Sequence, residues 1–241
     1  MRIAVLSDIH GNLTALDAVL ADIRAAAPDL VLHGGDLADA GSSPVEVVDR
    51  IRGLGWRGVL GNTDEMLIRP ESLEAFAARS QAPPSLWDAV RAIASATRDV
   101  LGPERLAWLR TLPLSIAEPG FALVHARPGD SWRAPAPDAG DAELEGIYGP
   151  LDQPIAVFGH THLPMIRTLP GTPRLLINTG SVGLPYDGDP RASYLLLDGD
   201  MPTLRRVDYD LDRELDRLAA SALPGALWTT KILRARAPVQ P

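Results

Sequence analysis

Groups that can bind metal ions follow short apolar runs at five places along the chain. Together these places carry seven oxygen and imidazole donors: Asp8, His10, Asp36, Asn62, His125, His160 and His162. Four of the five histidines of the chain belong to this set, and no sulfur ligand accompanies them because the chain contains no cysteine. Such donors suit two divalent ions of hard to borderline character. One carboxylate must bridge if each ion is to receive four protein ligands.

The apolar runs are typical of strands, and each metal-binding group stands at the carboxyl end of one. The first three runs, RIAVLSD, DLVLHGGD and WRGVLGN, alternate with two stretches of helical periodicity, NLTALDAVLADIRAAA and SPVEVVDRIRGLG. Asn12 and Ser43 are the predicted N-caps of these two helices. A β-α-β-α-β start predicts parallel strands joined by right-handed crossovers. Ligand sites in open α/β sheets lie beyond the carboxyl ends of the strands, so we expect the seven groups to converge there.

The remainder of the chain changes character twice. Helical periodicity interrupted by prolines predicts a helical insertion over about 66–112. The last third is rich in short strands, among them PIAVFGHTH, RLLINTGS and ASYLLLDGD, and ends in a helix over about 211–222. We therefore predict an α/β fold (α+β in some schemes) in a single domain spanning residues 1–241. Its two mixed sheets would pack together with helices outside, as a four-layer α-β-β-α sandwich.

Composition narrows the classes of function. The net charge of −8 disfavours a nucleic-acid binder, which normally carries a basic face. The late basic cluster of Lys231, Arg234 and Arg236 is interpreted as a solvated tail. No apolar run reaches the length of a membrane span, and the residues after Met1 lack the pattern of a signal peptide. These features and the lack of cysteine fit a cytoplasmic protein, and they leave the oligomeric state open.

The motifs SDIHGN, GGD, GNTD and GHTH, in this order, resemble those of the calcineurin-like metallophosphoesterase superfamily. The similarity is greatest to small prokaryotic members grouped with the diadenosine tetraphosphatases, and it extends from Met1 to about Asp208. The resemblance implies two metal sites that share Asp36: Asp8, His10, Asp36 and His162 for the first ion, and Asp36, Asn62, His125 and His160 for the second. It also implies a hydroxide between the ions as the nucleophile. Manganese is the expected metal, with iron, nickel or zinc as alternatives.

Position 63 departs from the family pattern. Many members have histidine in GNHD where this chain has Thr63 in GNTD, and that histidine is usually assigned to protonate the leaving group. Threonine cannot act as a general acid near neutral pH, so no catalytic acid is assigned. Loss of a general acid typically costs about a hundred- to ten-thousand-fold in rate. We therefore expect substrates with good leaving groups, such as aryl esters or pyrophosphate-linked nucleotides, to be favoured.

Several residues near the motifs have both a structural and a functional interpretation. Asp64 is either a turn residue or a support for a metal ligand. Arg127, and less so Arg191, could clamp a phosphate, although most arginines are simply solvated at the surface. Trp132 either stacks on a base or packs beneath its loop. His33 is interpreted as a structural, half-buried strand residue.

Three functions from different classes are compatible with these patterns. The first is a metal-dependent phosphoesterase acting on a small-molecule phosphodiester or nucleotide-type substrate, with a diadenosine polyphosphate as one alternative. The second is a non-catalytic scaffold with this fold, a role that some eukaryotic relatives have. The third is a nuclease, which the acidic balance disfavours. The intact set of seven donors favours the enzyme.

Overall fold

Ten strands form two sheets in the computed structural model, which describes residues 1–170 and 175–241. The strands are β1 (Arg2–Leu6), β2 (Leu30–His33), β3 (Arg57–Gly58), β4 (Ser115–Glu118), β5 (Phe121–Val124), β6 (Ile155–Phe158), β7 (Met165–Thr168), β8 (Leu175–Asn178), β9 (Ala192–Asp198) and β10 (Met201–Val207). The helices are α1 (Leu13–Ala26), α2 (Pro44–Leu54), α3 (Asn62–Ile68), α4 (Pro70–Ala77), α5 (Pro84–Leu109), α6 (Asp141–Tyr148), α7 (Leu211–Ala220) and α8 (Ala226–Ala235).

Both sheets are mixed. The first has the order β10-β9-β1-β2-β3, with β1, β2 and β3 parallel and the hairpin β9–β10 added antiparallel to β1. The second has the order β4-β5-β6-β8-β7, with β5, β6 and β8 parallel and the two edge strands antiparallel to their neighbours. The predicted pair of mixed sheets is confirmed. Arg174, with which the predicted strand RLLINTGS begins, lies outside the described residues.

Apolar side chains on both faces of each sheet hold the layers together. Between the sheets, Val5 and Leu32 of the first belong to one buried cluster with Leu123, Val157 and Ile177 of the second. A second cluster packs α1, α2 and the helices α3 to α5 against the outer side of the first sheet, and a third packs α6 on the second. Each fully buried aliphatic side chain contributes roughly 1.5–3 kcal/mol. The predicted four-layer α-β-β-α sandwich is therefore present.

The helical insertion is also confirmed, with helices α3, α4 and α5 between β3 and β4. The first of them begins at Asn62, directly after the third strand, so the helical region starts earlier than about residue 66. Pro84 occupies the first turn of α5, where its missing N–H costs nothing. Gly102 (φ 68°) and Pro103 bend the same helix near its end. Among the described residues, no helix is long and apolar enough to cross a membrane.

The two predicted N-caps behave differently. The side chain of Asn12 accepts a hydrogen bond from the Ala15 amide (2.9 Å), as a capping residue does. Ser43 occupies the N-cap position of α2 but makes no capping bond with its side chain, because its hydroxyl accepts from the Arg217 guanidinium instead (2.6 Å). This contact joins α2 to the closing helix α7.

The late basic cluster is solvent-exposed, as interpreted, but it belongs to a helix and not to a tail. Lys231 and Arg234 lie within α8, a helix that the sequence did not predict, and Arg236 is its C-cap. Ile232 and Leu233 of this helix are buried in a small cluster with Leu184 and Leu218. The basic side chains therefore belong to the polar face of an amphipathic helix.

His33 corrects a second expectation, because it is fully buried rather than half-buried. Its ring packs on Gly58, where an added Cβ would lie 2.2 Å from the imidazole, and it lies 6.2 Å from the ring of Trp108. Neither ring nitrogen has a hydrogen-bond partner among the described residues. Burial lowers the pKa of His33 to about 4.

This buried imidazole should make folding stability depend on pH. The pKa of an unfolded histidine is about 6.5, so below that pH the unfolded chain binds a proton that folded His33 does not take up until about pH 4. Stability therefore falls as the pH falls through this window. Between pH 7 and pH 4.5, the free energy of unfolding of the wild type should fall by roughly 2 kcal/mol more than that of His33→Leu. Urea unfolding of the metal-free proteins provides the measurement. Parallel pH profiles for the two proteins would contradict this.

Candidate metal centre

The structure brings all seven predicted donors together at the carboxyl ends of the strands. Contacts of 3.6 Å or less link the whole set. They are Asp36 to His10 (3.6 Å) and His125 (3.5 Å), Asp8 to His162 (3.3 Å) and to the His160 amide (3.0 Å), Asn62 to His125 (3.0 Å) and His160 (2.8 Å), and His10 to His162 (3.2 Å). The predicted convergence is therefore present, while the binding of metal by each residue stays a prediction.

Two groups of residues, which share Asp8, each place their ligand atoms within 4.8 Å of one another. One is Asp8, His10 and His162, and the other is Asp8, Asp36 and His125. The two carboxylate oxygens of Asp36 face different histidines, Oδ2 towards His10 and Oδ1 towards His125. A carboxylate with one oxygen on each side is suited to bridge two ions.

The imidazoles of His10 and His162 face each other with their Nε2 lone pairs. Nδ1 of His10 lies 3.1 Å from the Asp39 carbonyl, and Nδ1 of His162 lies 2.6 Å from the Leu184 carbonyl. A carbonyl can only accept, so each Nδ1 carries a hydrogen and each Nε2 is left with its lone pair when the ring is neutral. The two Nε2 atoms are 3.2 Å apart. Two lone pairs at this distance repel each other unless a proton or a metal ion lies between them, so the pair is suited to bind a cation.

The second set of donors has the same character. Nδ1 of His125 lies 2.7 Å from the Gly34 carbonyl, which directs the lone pair of Nε2 towards the amide oxygen of Asn62 at 3.0 Å. Nδ1 of His160 is 2.8 Å from that oxygen and 3.2 Å from Nε2 of His125. Carbonyl groups that orient metal-binding histidines in this way are typical of metal sites. The donor set fits divalent ions.

Protonation states support the same fit. Burial lowers the pKa of His10, and burial together with His125 lowers the pKa of His160 to about 4, so both rings are neutral at pH 7. Burial would also lower the pKa of His125, but the charges of Asp36 and Asp8 raise it above the usual value. Burial opposes the charge on Asp8, yet the imidazoles around it, His162 foremost, hold its pKa below the usual range. The site thus combines the ionised carboxylate of Asp8 with the neutral imidazoles of His10 and His160.

Backbone strain is concentrated at this site. Of the nine non-glycine residues with positive φ in the described chain, five are predicted ligands: Asp8 (57°), His10 (49°), Asp36 (55°), His160 (65°) and His162 (57°). Such left-handed conformations cost of order 1–3 kcal/mol each and persist where the surrounding structure enforces them, often at functional sites. No feature of the sequence indicated this strain.

Two motif glycines allow the backbone to approach the carboxylates closely. A Cβ at Gly61 would lie 2.0 Å from Oδ1 of Asp36, and one at Gly159 would lie 2.4 Å from Oδ2 of Asp8. The glycines of GNTD and GHTH are therefore required by packing against the predicted ligands.

Residues 63 and 64 support the Asp36 carboxylate and its loop. The backbone amide of Thr63 donates to Oδ1 of Asp36 (2.9 Å), while the Thr63 hydroxyl is buried and has no partner among the described residues. Asp64 is fully buried, and its carboxylate accepts from the amides of Asp36 (2.8 Å) and Leu37 (3.0 Å). It thus fixes the chain direction on either side of Asp36.

The other singled-out side chains are engaged by protein groups. The guanidinium of Arg127 donates to Asp130 (2.9 Å), and that of Arg191 donates to Asp189 (2.7 Å). The Trp132 ring stacks on Phe76 with centroids 5.0 Å apart, which favours the packing interpretation. A phosphate-binding role for Arg127 stays a prediction.

Sequence reasoning missed Tyr186. Its ring packs on the imidazole of His162 with centroids 4.3 Å apart. Burial raises the pKa of Tyr186 above its ordinary value, and the charges of Asp8 and Asp36 raise it further. The residue occurs in the string GLPYDGDP, in which nothing but the family resemblance marked it.

Comparison with known proteins agrees with this architecture. Residues 1–201 match the family model of the calcineurin-like phosphoesterase superfamily domain. The chain therefore belongs to the calcineurin-like phosphoesterase superfamily, and this membership supports a phosphoesterase, that is, a hydrolase. It is 34% identical over 243 residues to an uncharacterized protein from Methanocaldococcus jannaschii, a match that covers 92% of this chain and 93% of the relative.

Two further relatives have more informative names. A symmetrical bis(5′-nucleosyl)-tetraphosphatase from Methylococcus capsulatus is 35% identical over 155 residues, which is 63% of this chain and 52% of that enzyme. The match thus spans about half of the tetraphosphatase. The crystal structure of a metallophosphoesterase from Sphaerobacter thermophilus superposes with a TM-score of 0.77 at 29% identity, covering 98% of this chain and all of the other.

Proposed function

We propose that this chain is a dinuclear metal-dependent phosphoesterase that hydrolyses phosphodiester or nucleotide-type small molecules. The observation that carries the proposal is the set of opposed acceptor atoms, above all the two Nε2 atoms of His10 and His162 at 3.2 Å. A scaffold has no need for buried acceptors that face one another across a gap suited to a cation. The single domain of residues 1–241, with its insertion at about 66–112, is part of the same proposal.

The residues divide between two ions as the resemblance implies. Asp8, His10 and His162 would hold one ion, Asn62, His125 and His160 would hold the other, and Asp36 would bridge. The ions, when bound, supply Lewis-acid stabilisation of the phosphate oxygens and an activated water. Manganese is the metal that the family resemblance favours, and the oxygen donors suit it; iron, nickel and zinc are alternatives, since imidazole nitrogen suits those metals.

The substrate should carry a leaving group that departs without a proton. Thr63 supplies no acid, so aryl phosphodiesters and pyrophosphate-linked nucleotides fit best. The tetraphosphatase from Methylococcus capsulatus supports a diadenosine polyphosphate as a specific candidate. The net charge of −8 disfavours nucleic acid as the substrate, and a small phosphoester in the cytoplasm is the proposed setting.

Chelation tests the dependence on metal. We expect release of nitrophenol from bis-p-nitrophenyl phosphate to fall at least about a hundred-fold after dialysis against chelator, because the ions contribute several kcal/mol to the transition state. Added manganese should restore it, with iron, nickel and zinc compared in parallel. Elemental analysis before and after dialysis provides the control for metal content. Full activity in protein shown to be metal-free would overturn the proposal, and no activity with any metal would favour a scaffold.

A further inference from the structure

A pocket of about 200 Å³ lies between the helical insertion and the loop that follows β5. Six of its lining residues carry the inference: Glu65, Phe76, Arg79, Asp130, Trp132 and Arg133. Two of them are arginines and two are aromatic. Nothing in the proposed phosphoesterase site uses this pocket.

Both walls of the pocket belong to segments that follow predicted metal ligands along the chain. Glu65 lies three residues after Asn62 on α3, so it is on the same face of the helix and about one turn, ~5 Å, further along. On the other wall, Arg127 follows His125 by two residues and is joined to Asp130 by backbone and side-chain hydrogen bonds. The pocket is therefore built on the same two segments, α3 and the loop after β5, that carry or directly follow the predicted ligands Asn62 and His125.

The acidic residues of the pocket are neutralised by other groups. Glu65 is paired with Arg69 (2.9 Å) and accepts from the Ser131 hydroxyl. Asp130 accepts from Arg127 and from the Trp132 amide, each at 2.9 Å.

The two pocket arginines, in contrast, are exposed and little engaged. Arg133 has only a long contact of 3.8 Å to Asp130, and Arg79 has no acidic partner among the described residues. With both carboxylates compensated, the pocket carries an excess of positive charge in a chain whose net charge is −8. Guanidinium groups bind phosphate with two parallel hydrogen bonds.

Trp132 adds an independent indication of a ligand. Its indole Nε1 is buried and has no hydrogen-bond acceptor among the described residues. A buried donor without a partner costs about 1–3 kcal/mol, and indole N–H groups usually find an acceptor. Trp132 lines the pocket, so a shift of its ring would let the oxygen of a ligand there supply one.

We propose that this pocket binds a second phosphate of the substrate, on its leaving-group side, through Arg79, Arg133 and the Trp132 indole. The proposal rests on the proposed function and specifies its substrate as a molecule in which the scissile phosphorus is joined to a further phosphate. Such a leaving group departs as a phosphate anion, which requires no proton from position 63. The pocket and Thr63 are then two parts of one specificity.

Kinetics with two substrates test the pocket. Diadenosine tetraphosphate carries further phosphates beyond the scissile one, whereas bis-p-nitrophenyl phosphate carries none. For the manganese-loaded Arg79→Ala and Arg133→Ala variants we expect kcat/KM for the tetraphosphate to fall about ten-fold each, and about a hundred-fold when combined, as charge-assisted hydrogen bonds are lost. The rate with bis-p-nitrophenyl phosphate should change less than two-fold. Arg24→Ala, which removes an exposed arginine at the far end of α1, is the matched control.

The outcomes separate the pocket from the proposed function. If wild type and all variants have equal kcat/KM for the tetraphosphate, the proposed role of the pocket is overturned and the proposed phosphoesterase activity is not. Equal losses on both substrates would show a general effect and would also overturn the role of the pocket. A wild type inactive on bis-p-nitrophenyl phosphate would refute the proposed function instead. Calorimetric titration with tripolyphosphate then tests whether the pocket binds phosphate. The proposal requires binding to be at least ten-fold weaker in the double variant than in Arg24→Ala.

Discussion

Asp36→Ala is expected to lower kcat for bis-p-nitrophenyl phosphate at least about a thousand-fold, the equivalent of about 4 kcal/mol. The two oxygens of Asp36 face different histidines, His10 and His125. In the proposed site its loss would therefore remove a ligand from both ions and the negative charge between them. Asn62→Ala would remove one neutral oxygen from one of the proposed ions and should cost clearly less. Steady-state kinetics with saturating manganese provide the comparison.

Metal content distinguishes loss of a ligand from loss of the fold. Elemental analysis should find that Asp36→Ala retains little of either ion, whereas Asn62→Ala retains one ion better than the other. Asp17→Ala, at an exposed carboxylate paired with Arg50, serves as the control and should keep full activity. Equal and modest losses of rate at positions 36 and 62 would show that Asp36 does not bridge.

The position of the donors could be predicted because it follows from local rules. Each of Asp8, Asp36 and His125 ends a run of apolar residues, and in parallel strands those ends meet at one edge of the sheet. The donors do lie together in the structure, and predicting this required no long-range information. The groups that orient the imidazoles could not be predicted from the sequence. The carbonyls of Asp39 and Leu184 are backbone acceptors, which any residue type could supply.

The errors have a common physical origin in contacts between distant segments. His33 was expected to be a half-buried strand residue, but it is fully buried, and the ring of Trp108 from the distant helix α5 lies 6.2 Å from it. Helix α8 contains two adjacent threonines, Thr229 and Thr230, which are poor helix formers. It is stabilised by packing against Leu184 and Leu218, which the local sequence does not indicate.

Thr63→His is expected to raise the rate on alkyl phosphodiesters by about a hundred-fold or more and to change the rate on p-nitrophenyl esters little. The departing alkoxide needs a proton, and an imidazole with a pKa near 6.5 can donate one where a threonine hydroxyl cannot. A p-nitrophenolate leaves without protonation. A series of aryl and alkyl esters, plotted as log rate against the pKa of the leaving group, should give a steep line for wild type and a shallow one for Thr63→His. Thr63→Val, which removes only the hydroxyl, is the control and should keep the steep line.

The structure also constrains what else could donate this proton. Both oxygens of Asp64 accept hydrogen bonds from backbone amides beneath Asp36, so this fully buried carboxyl faces the fold and not the leaving group. The hydrogen bond to the Asp36 carboxylate comes from the backbone amide of residue 63, so it does not depend on the side chain that is substituted. Any gain on alkyl esters can then be attributed to the new imidazole, since the support of Asp36 is unchanged. Parallel lines for the two proteins would show that another group, such as the Tyr186 hydroxyl or solvent, already protonates the leaving oxygen.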